Sequence, residues 1–137
     1  MRTIGEIDKS LFYLRRLIEA RLGTVDYHLL VSRHDIMSEV IVQFAIIDAN
    51  GIMRATSASQ GPSKPIDLSD REHYLFHAGR QTDELYISKP MIGRASGKWS
   101  VQTTRRFLGK DGAFGGVVVA SLAPSHLTNF FTAINLG

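Results

Sequence analysis

DLSDREHY (67–74), LYISKP (85–90), WSVQTTRRF (99–107) and GGVVVASL (115–122) decide the fold. The first is polar at its start and reads as a short helix; the other three are rich in β-branched and aromatic residues and read as strands. Ser69 or Asp70 is placed to cap the helix, which runs to about His77 and closes at Gly79. Pro90 halts its strand because it brings no N–H to a ladder, and GRASGK (93–98) is a connection with two glycines. Asp111-Gly112 sits between the last two runs as a hairpin turn. Residues 116–122 are almost wholly apolar, which predicts a central strand covered on both faces.

Working outward, VIVQFAIIDANGIMRATS (40–57) reads as strand, turn, strand, with Asn50-Gly51 supplying the positive φ of a tight hairpin. SASQGPSKP (57–65) is loop by composition. Upstream, Ile4, Ile7, Leu11, Leu14, Ile18 and Val25 fall at helical spacing, widened by Phe12, Leu17 and Leu22, with Gly23 as a bend or pause. Ile36, Met37, Val40 and Ile41 form a second, shorter helix pattern capped by Ser32 or Asp35. Pro124 opens a closing amphipathic helix over 127–131. Hairpins dictate antiparallel pairing, so the class is α+β. A five-stranded antiparallel sheet carries the long N-terminal helix on one face and short helices and loops on the other. Residues 1–42 form a helical segment and 43–137 the body of one structural domain.

With 137 residues, 44% apolar and 21% charged, the chain is a single globular unit rather than a disordered one. The net charge of +3 comes from basic residues scattered singly or in pairs, Arg15-Arg16 and Arg105-Arg106 among them, which points to a small anion and not to nucleic acid. Cysteine is absent, so thiol and disulfide chemistry is excluded. No apolar run reaches membrane-span length, and the start lacks the order of a signal peptide. MRTIGEID enters a helix pattern with no preceding loop, and INLG stops abruptly, so the chain reads as a piece of a longer protein. Its first helix either covers the sheet of its own domain or also pairs with a second copy.

Arg71, His73 and Tyr74 are donors with little acceptor capacity, a set suited to a carboxylate that the Arg fork can grip through charge-assisted bonds of about 1.5–3 kcal/mol each. On a helix, Arg71 and Tyr74 share a face and His73 lies to the side. The alternative is an Arg71 paired with Asp67 or Asp70, with Tyr74 in the core. His73 and His77 have the i, i+4 spacing of metal ligands but no evident third ligand. In the strand from Trp99, residues Trp99, Val101, Thr103 and Arg105 face one way and Ser100, Gln102, Thr104 and Arg106 the other. The first of these faces, with Trp99 as a wall, is the candidate pocket lining; Lys89, Arg94 and Arg106 read as solvated surface. Ser121, deep in an apolar strand, reads as a packing or ligand-bonding hydroxyl. No nucleophile with a base beside it and no phosphate loop is present, so no enzymatic activity and no cofactor is expected of the chain itself.

The order of an N-terminal helix, IIDANG (46–51), DLSDREHY, LYISKP, WSVQTTRR (99–106) and DGAFGGVVVASL (111–122) resembles the Cache-type sensor domains, also called extracytoplasmic PAS-like or PDC domains. In particular it resembles the membrane-distal module of a double Cache domain from a bacterial sensor histidine kinase or diguanylate cyclase. The resemblance implies a PAS-like sheet and a periplasmic, extracytoplasmic location in an inner-membrane protein anchored by flanking helices. It also implies a second module after Gly137 and a small-molecule ligand signalling to a cytoplasmic output domain. In the family's amine-binding branch an Arg-x-Trp-Tyr motif grips a ligand carboxylate and a late Asp takes the amino group. Arg71 and Tyr74 keep that motif, His73 stands in the Trp place, and Ser121 stands where the Asp would be. The resemblance therefore implies a carboxylate or other small polar ligand rather than one with a free ammonium. Arg71 is the expected anchor, with His73, Tyr74, Trp99, Thr103 and Ser121 lining a pocket between sheet and DREHY helix. The competing expectation is a ligand-free spacer that dimerises through its first helix.

Overall fold

The computed structural model describes residues 4–20, 41–57, 65–92, 99–109 and 111–122. The expected bend at Gly23, the second helix pattern after Ser32 and the closing helix over 127–131 lie outside the described residues, except that Ile41, counted into that second helix, is the first residue of a strand.

Helix α1 (Ile4–Ala20) is followed by strands β1 (Ile41–Asp48), β2 (Ile52–Thr56) and β3 (Ile66–Asp67), and then by helix α2 (Glu72–Ala78). Strands β4 (Tyr86–Ile87), β5 (Met91–Ile92), β6 (Trp99–Leu108) and β7 (Phe114–Leu122) complete the order. Every pairing is antiparallel, in the order β3-β2-β1-β7-β6-β4, with β5 also on β6. The five expected strands are all present. The two-residue strands β3 and β5 are additions, too short to carry a strand pattern in the sequence.

As its unbroken apolar run predicts, β7 is central, flanked by β1 and β6, and residues 116–122 are buried. Both hairpins turn on glycines with positive φ, Gly51 at 84° and Gly112 at 78°. At Gly51 the backbone is crowded as well: a Cβ there would lie 2.5 Å from the Ser69 Cβ, and the Leu68 N–H donates to the Gly51 carbonyl at 2.8 Å. The approach to α2 is thereby laid directly on the first hairpin.

The sheet buries both faces. Ile7, Leu11, Leu14 and Ile18 of α1 pack on Phe44, Ile46, Val101, Phe107, Val118, Ala120 and Leu122. On the other face Ala45, Ile47, Met53, Val117 and Val119 meet Leu68 and Tyr74. The period of α1 and the period of the strands therefore point their apolar stripes at each other, as their sequences require.

Charge fixes α1 to the sheet. Arg105 grips Asp8 with both ends of its fork, Nε to Oδ1 at 2.6 Å and Nη2 to Oδ2 at 2.9 Å. Asp83 receives Arg105 Nη1 at 2.9 Å and Arg15 Nη1 at 2.7 Å, and those two guanidinium groups hold its carboxyl below the usual range, Arg15 contributing most. The Phe12 ring lies against both cations, 4.3 Å from Arg105 and 4.6 Å from Arg15. Bidentate, largely buried pairs of this kind are costly to break from one side, because the remaining charge stays desolvated. Asp8→Ala is expected to lower unfolding free energy by about 2 kcal/mol in urea titrations, the pair being partly open to solvent. A loss below a few tenths would show that the pair does not hold α1.

Candidate functional site

The register of the three long strands sets three transverse rows of side chains on the α2 side. Gln43, Ser121 and Gln102 form one row, Ala45, Val119 and Thr104 the next, and Ile47, Val117 and Arg106 the third. The first row is wholly polar and buried. Ser121 Oγ donates to Gln102 Oε1 at 2.5 Å, Gln102 Nε2 donates to Ser100 Oγ at 2.9 Å, and Gln43 Nε2 donates to Thr56 Oγ1. Ser88 completes the bracing by accepting the Gln102 N–H at 2.8 Å.

Above this row lies a cavity lined by Gln43, Ala45, Met53, Leu68, Arg71, His73, Met91, Gln102, Val119 and Ser121. Its volume is about 30 Å³, room for about one water. Two of its walls are methionines, unbranched side chains that repack at small cost, so the volume can grow without moving the sheet.

Arg71 is the one cation among the described lining residues. It is the residue before α2, at φ −81° and ψ 142°, so it is extended rather than helical. The helical-wheel expectation that Arg71 shares a face with Tyr74 is corrected for that reason: Arg71 and His73 line the cavity, while Tyr74 turns into the neighbouring core. Arg71 Nη1 donates to Met91 Sδ at 3.8 Å and Nη2 to the Ile92 carbonyl at 3.2 Å. Asp67 is turned to its own loop, where Oδ1 accepts the Ser69 N–H at 2.9 Å and the Ser69 hydroxyl at 2.6 Å. The N-cap position of α2 is Arg71, with no side-chain cap hydrogen bond, and not Ser69 or Asp70 as expected.

Tyr74 pins α2 to the first hairpin by donating to the Ala49 carbonyl at 2.7 Å. His77 is fully buried, shares a 2.8 Å hydrogen bond between Nε2 and Thr104 Oγ1, and meets the edges of Phe76 and Tyr86. Burial, the largest cause, pushes its pKa down to about 4, with Arg106 and Arg105 adding to the depression.

Of the six residues expected to line a pocket, Arg71, His73 and Ser121 come together, and Tyr74 sits beside them in the core. Trp99 and Thr103 stand elsewhere. Thr103 shares a row with Phe44 and Ala120 beneath α1 and donates to the Ala120 carbonyl at 2.8 Å, and Trp99 is 57% exposed opposite Ile92. The cavity uses the other face of β6, that of Ser100 and Gln102. Arg106, expected on the surface, is 8% exposed, donating from Nη1 to the Arg80 carbonyl at 2.6 Å with its guanidinium 5.4 Å from the Phe114 ring. Lys89 is exposed, and Arg94 lies outside the described residues. Gln43 and Gln102 were missed. For Gln43 and Ser121 the signal is a lone polar residue inside an apolar strand run; Gln102, among the polar residues 100 and 102–106 of β6, carries no such signal and is placed by register.

No protein-family model and no curated protein matches the chain. Solved structures do. The extracellular domain of rpHK1S-Z16, a protein described as a histidine kinase, aligns with a TM-score of 0.75 and 26% identity over 91% of this chain and 52% of its own. The ligand-binding domain of the Pseudomonas fluorescens chemoreceptor CtaA, in complex with L-alanine, aligns at 0.70 and 19% identity, covering 92% of this chain and 53% of its own. The sensory domain of the Campylobacter jejuni chemoreceptor Tlp3 with isoleucine bound aligns at 0.68 and 15% identity, covering 88% and 52%. The chain thus spans about half the length of these proteins. The fold is the one seen in these extracellular histidine-kinase and chemoreceptor domains, α+β with an antiparallel sheet covered on both faces.

Proposed function

We propose that this chain is the small-molecule sensing module of a bacterial transmembrane signalling protein, and that its cavity takes a small carboxylate held by Arg71. The module stands outside the inner membrane, distal to it, with a histidine kinase or diguanylate cyclase as output. The observation that carries the ligand reading is Arg71 itself. It is a guanidinium on the wall of a polar-floored cavity, and its hydrogen bonds among the described residues go to a thioether and one backbone carbonyl. A carboxylate would replace both with charge-assisted, bidentate bonds, each stronger than what it displaces. Relatives of the same fold solved with L-alanine and isoleucine bound support a ligand site of this general kind.

The test is a thermal-shift panel of small carboxylates. A ligand at a hundred times its Kd adds about 2.7 kcal/mol, or roughly 5–10 °C for a domain of this size. Arg71→Ala is expected to remove that shift while changing the ligand-free Tm by less than about 3 °C, since the residue is not in the core. An undiminished shift in Arg71→Ala ends the anchor assignment.

A second reading, a ligand-free spacer that pairs through α1, is favoured by the small cavity and by Phe12 and Tyr13, both exposed on α1. It is separated by the same panel together with sedimentation: no carboxylate shifts Tm, and the chain sediments as a dimer that Tyr13→Glu disrupts.

A further inference from the structure

We propose that the polar row Gln43–Ser121–Gln102 makes the cavity selective for short 2-hydroxy carboxylates and excludes zwitterionic amino acids. The inference rests on the carboxylate reading above and names the group that the rest of the ligand must carry. Its first support is a charge inventory. Among the described lining residues Arg71 is the one formal positive charge, and Asp and Glu are absent from the lining. An amino acid gripped by its carboxylate at Arg71 would bring an ammonium into a site with no counter-ion among the described lining residues. An unpaired buried charge costs several kcal/mol.

The second support is the direction of the hydrogen bonds. Ser121 spends its single hydrogen on Gln102 Oε1, so its oxygen turns lone pairs to the cavity. Gln102 spends one amide hydrogen on Ser100 Oγ, which leaves a second N–H to donate. Ser121 and Gln102 therefore present an acceptor and a donor side by side. A hydroxyl answers both, donating to Ser121 and accepting from Gln102. A keto oxygen can only accept and leaves Ser121 unanswered. An ammonium can only donate and meets the Gln102 N–H with its own. A plain alkyl chain answers neither and strands both groups away from water.

Isothermal titration of the chain with both enantiomers of lactate, pyruvate, propionate and L-alanine tests this. One enantiomer of lactate is expected to bind at least about tenfold tighter than pyruvate or propionate and at least about a hundredfold tighter than L-alanine. Ser121→Ala is expected to bring the lactate-to-propionate ratio to within about threefold, as one of the two hydroxyl bonds is gone. If L-alanine binds as tightly as lactate and needs Arg71, the selectivity inference is overturned and the carboxylate site stands. Binding of other carboxylates through Arg71 without binding of lactate overturns it equally. If no carboxylate binds at all, the parent reading falls and takes this one with it.

Discussion

Gly116→Ala is expected to lower the unfolding free energy by at least about 3 kcal/mol, and Gly116→Val to prevent folding. The reason is the place where the central strand passes its neighbours. Gly116 has φ 145°, and a Cβ added there would lie 2.1 Å from the Ile47 carbonyl oxygen and 2.8 Å from the Phe107 ring. The oxygen is backbone in the β1–β7 ladder and cannot yield without breaking the pairing of Asp48 with Gly116. Overpacking and a disfavoured backbone conformation therefore add, a combination that reaches the far tail of single-substitution effects. Gly112 is the internal control. Its φ is 78°, yet nothing lies within 4 Å of an added Cβ, so Gly112→Ala carries the backbone penalty alone, about 1 kcal/mol. Urea titrations of the two alanine variants, followed by far-UV circular dichroism, separate the two effects. Equal midpoints would mean that the strand crossing at Gly116 is not tight.

The fold was legible where a pattern repeats. The spacing of Ile7, Leu11, Leu14 and Ile18 could serve only a helix with one buried stripe, and the glycines at 51 and 112 could serve only hairpins, so the pairings β1–β2 and β6–β7 followed from short antiparallel links, whereas the pairing of β1 with β7 joins strands far apart in the chain. The site was legible in part. Arg71 announced itself by charge, but its direction depended on being extended at the mouth of α2, a fact that no wheel drawn through residues 71–74 contains. The parity of β6 was read correctly and its faces were assigned the wrong way round. Trp99 looked like a pocket wall, whereas Val101 and Phe107 on the same face belong to the core under α1. The opposite face of β6, Ser100, Gln102, Thr104 and Arg106, is wholly polar and yet buried, so polarity alone does not break that tie. What breaks it is register, which sets Gln43 and Gln102 on either side of Ser121 and is fixed only when three strands meet.

Acidification is the second strong lever on this molecule, and it acts through His77. The ring is fully buried on α2 against Thr104 of β6, with Arg106 and Arg105 also on β6, Tyr86 on β4, and Asp83 in the preceding loop as the nearby carboxylate. Its pKa falls from 6.5 to about 4 on folding, so the unfolded chain binds a proton across that interval and the folded chain does not. Stability from this group is complete above pH 6.5 and is lost as pH falls toward 4, by about 3 kcal/mol in all. The Asp83 carboxyl, depressed below 3.8 by Arg15 and Arg105, gives up its contribution only at still lower pH, so the two windows separate. His77→Gln can keep a hydrogen bond to Thr104 and has no proton to gain. It should be less stable than the parent at pH 7, yet lose about 2 kcal/mol less between pH 6.5 and 4.5. Urea midpoints at half-unit steps of pH measure the slope, and a ¹H titration of the His77 ring measures its cause. An equal slope in parent and variant would assign the acid sensitivity to some other group. A ring that titrates near 6.5 would show that α2 opens to water at His77 and does not seal the far end of the sheet.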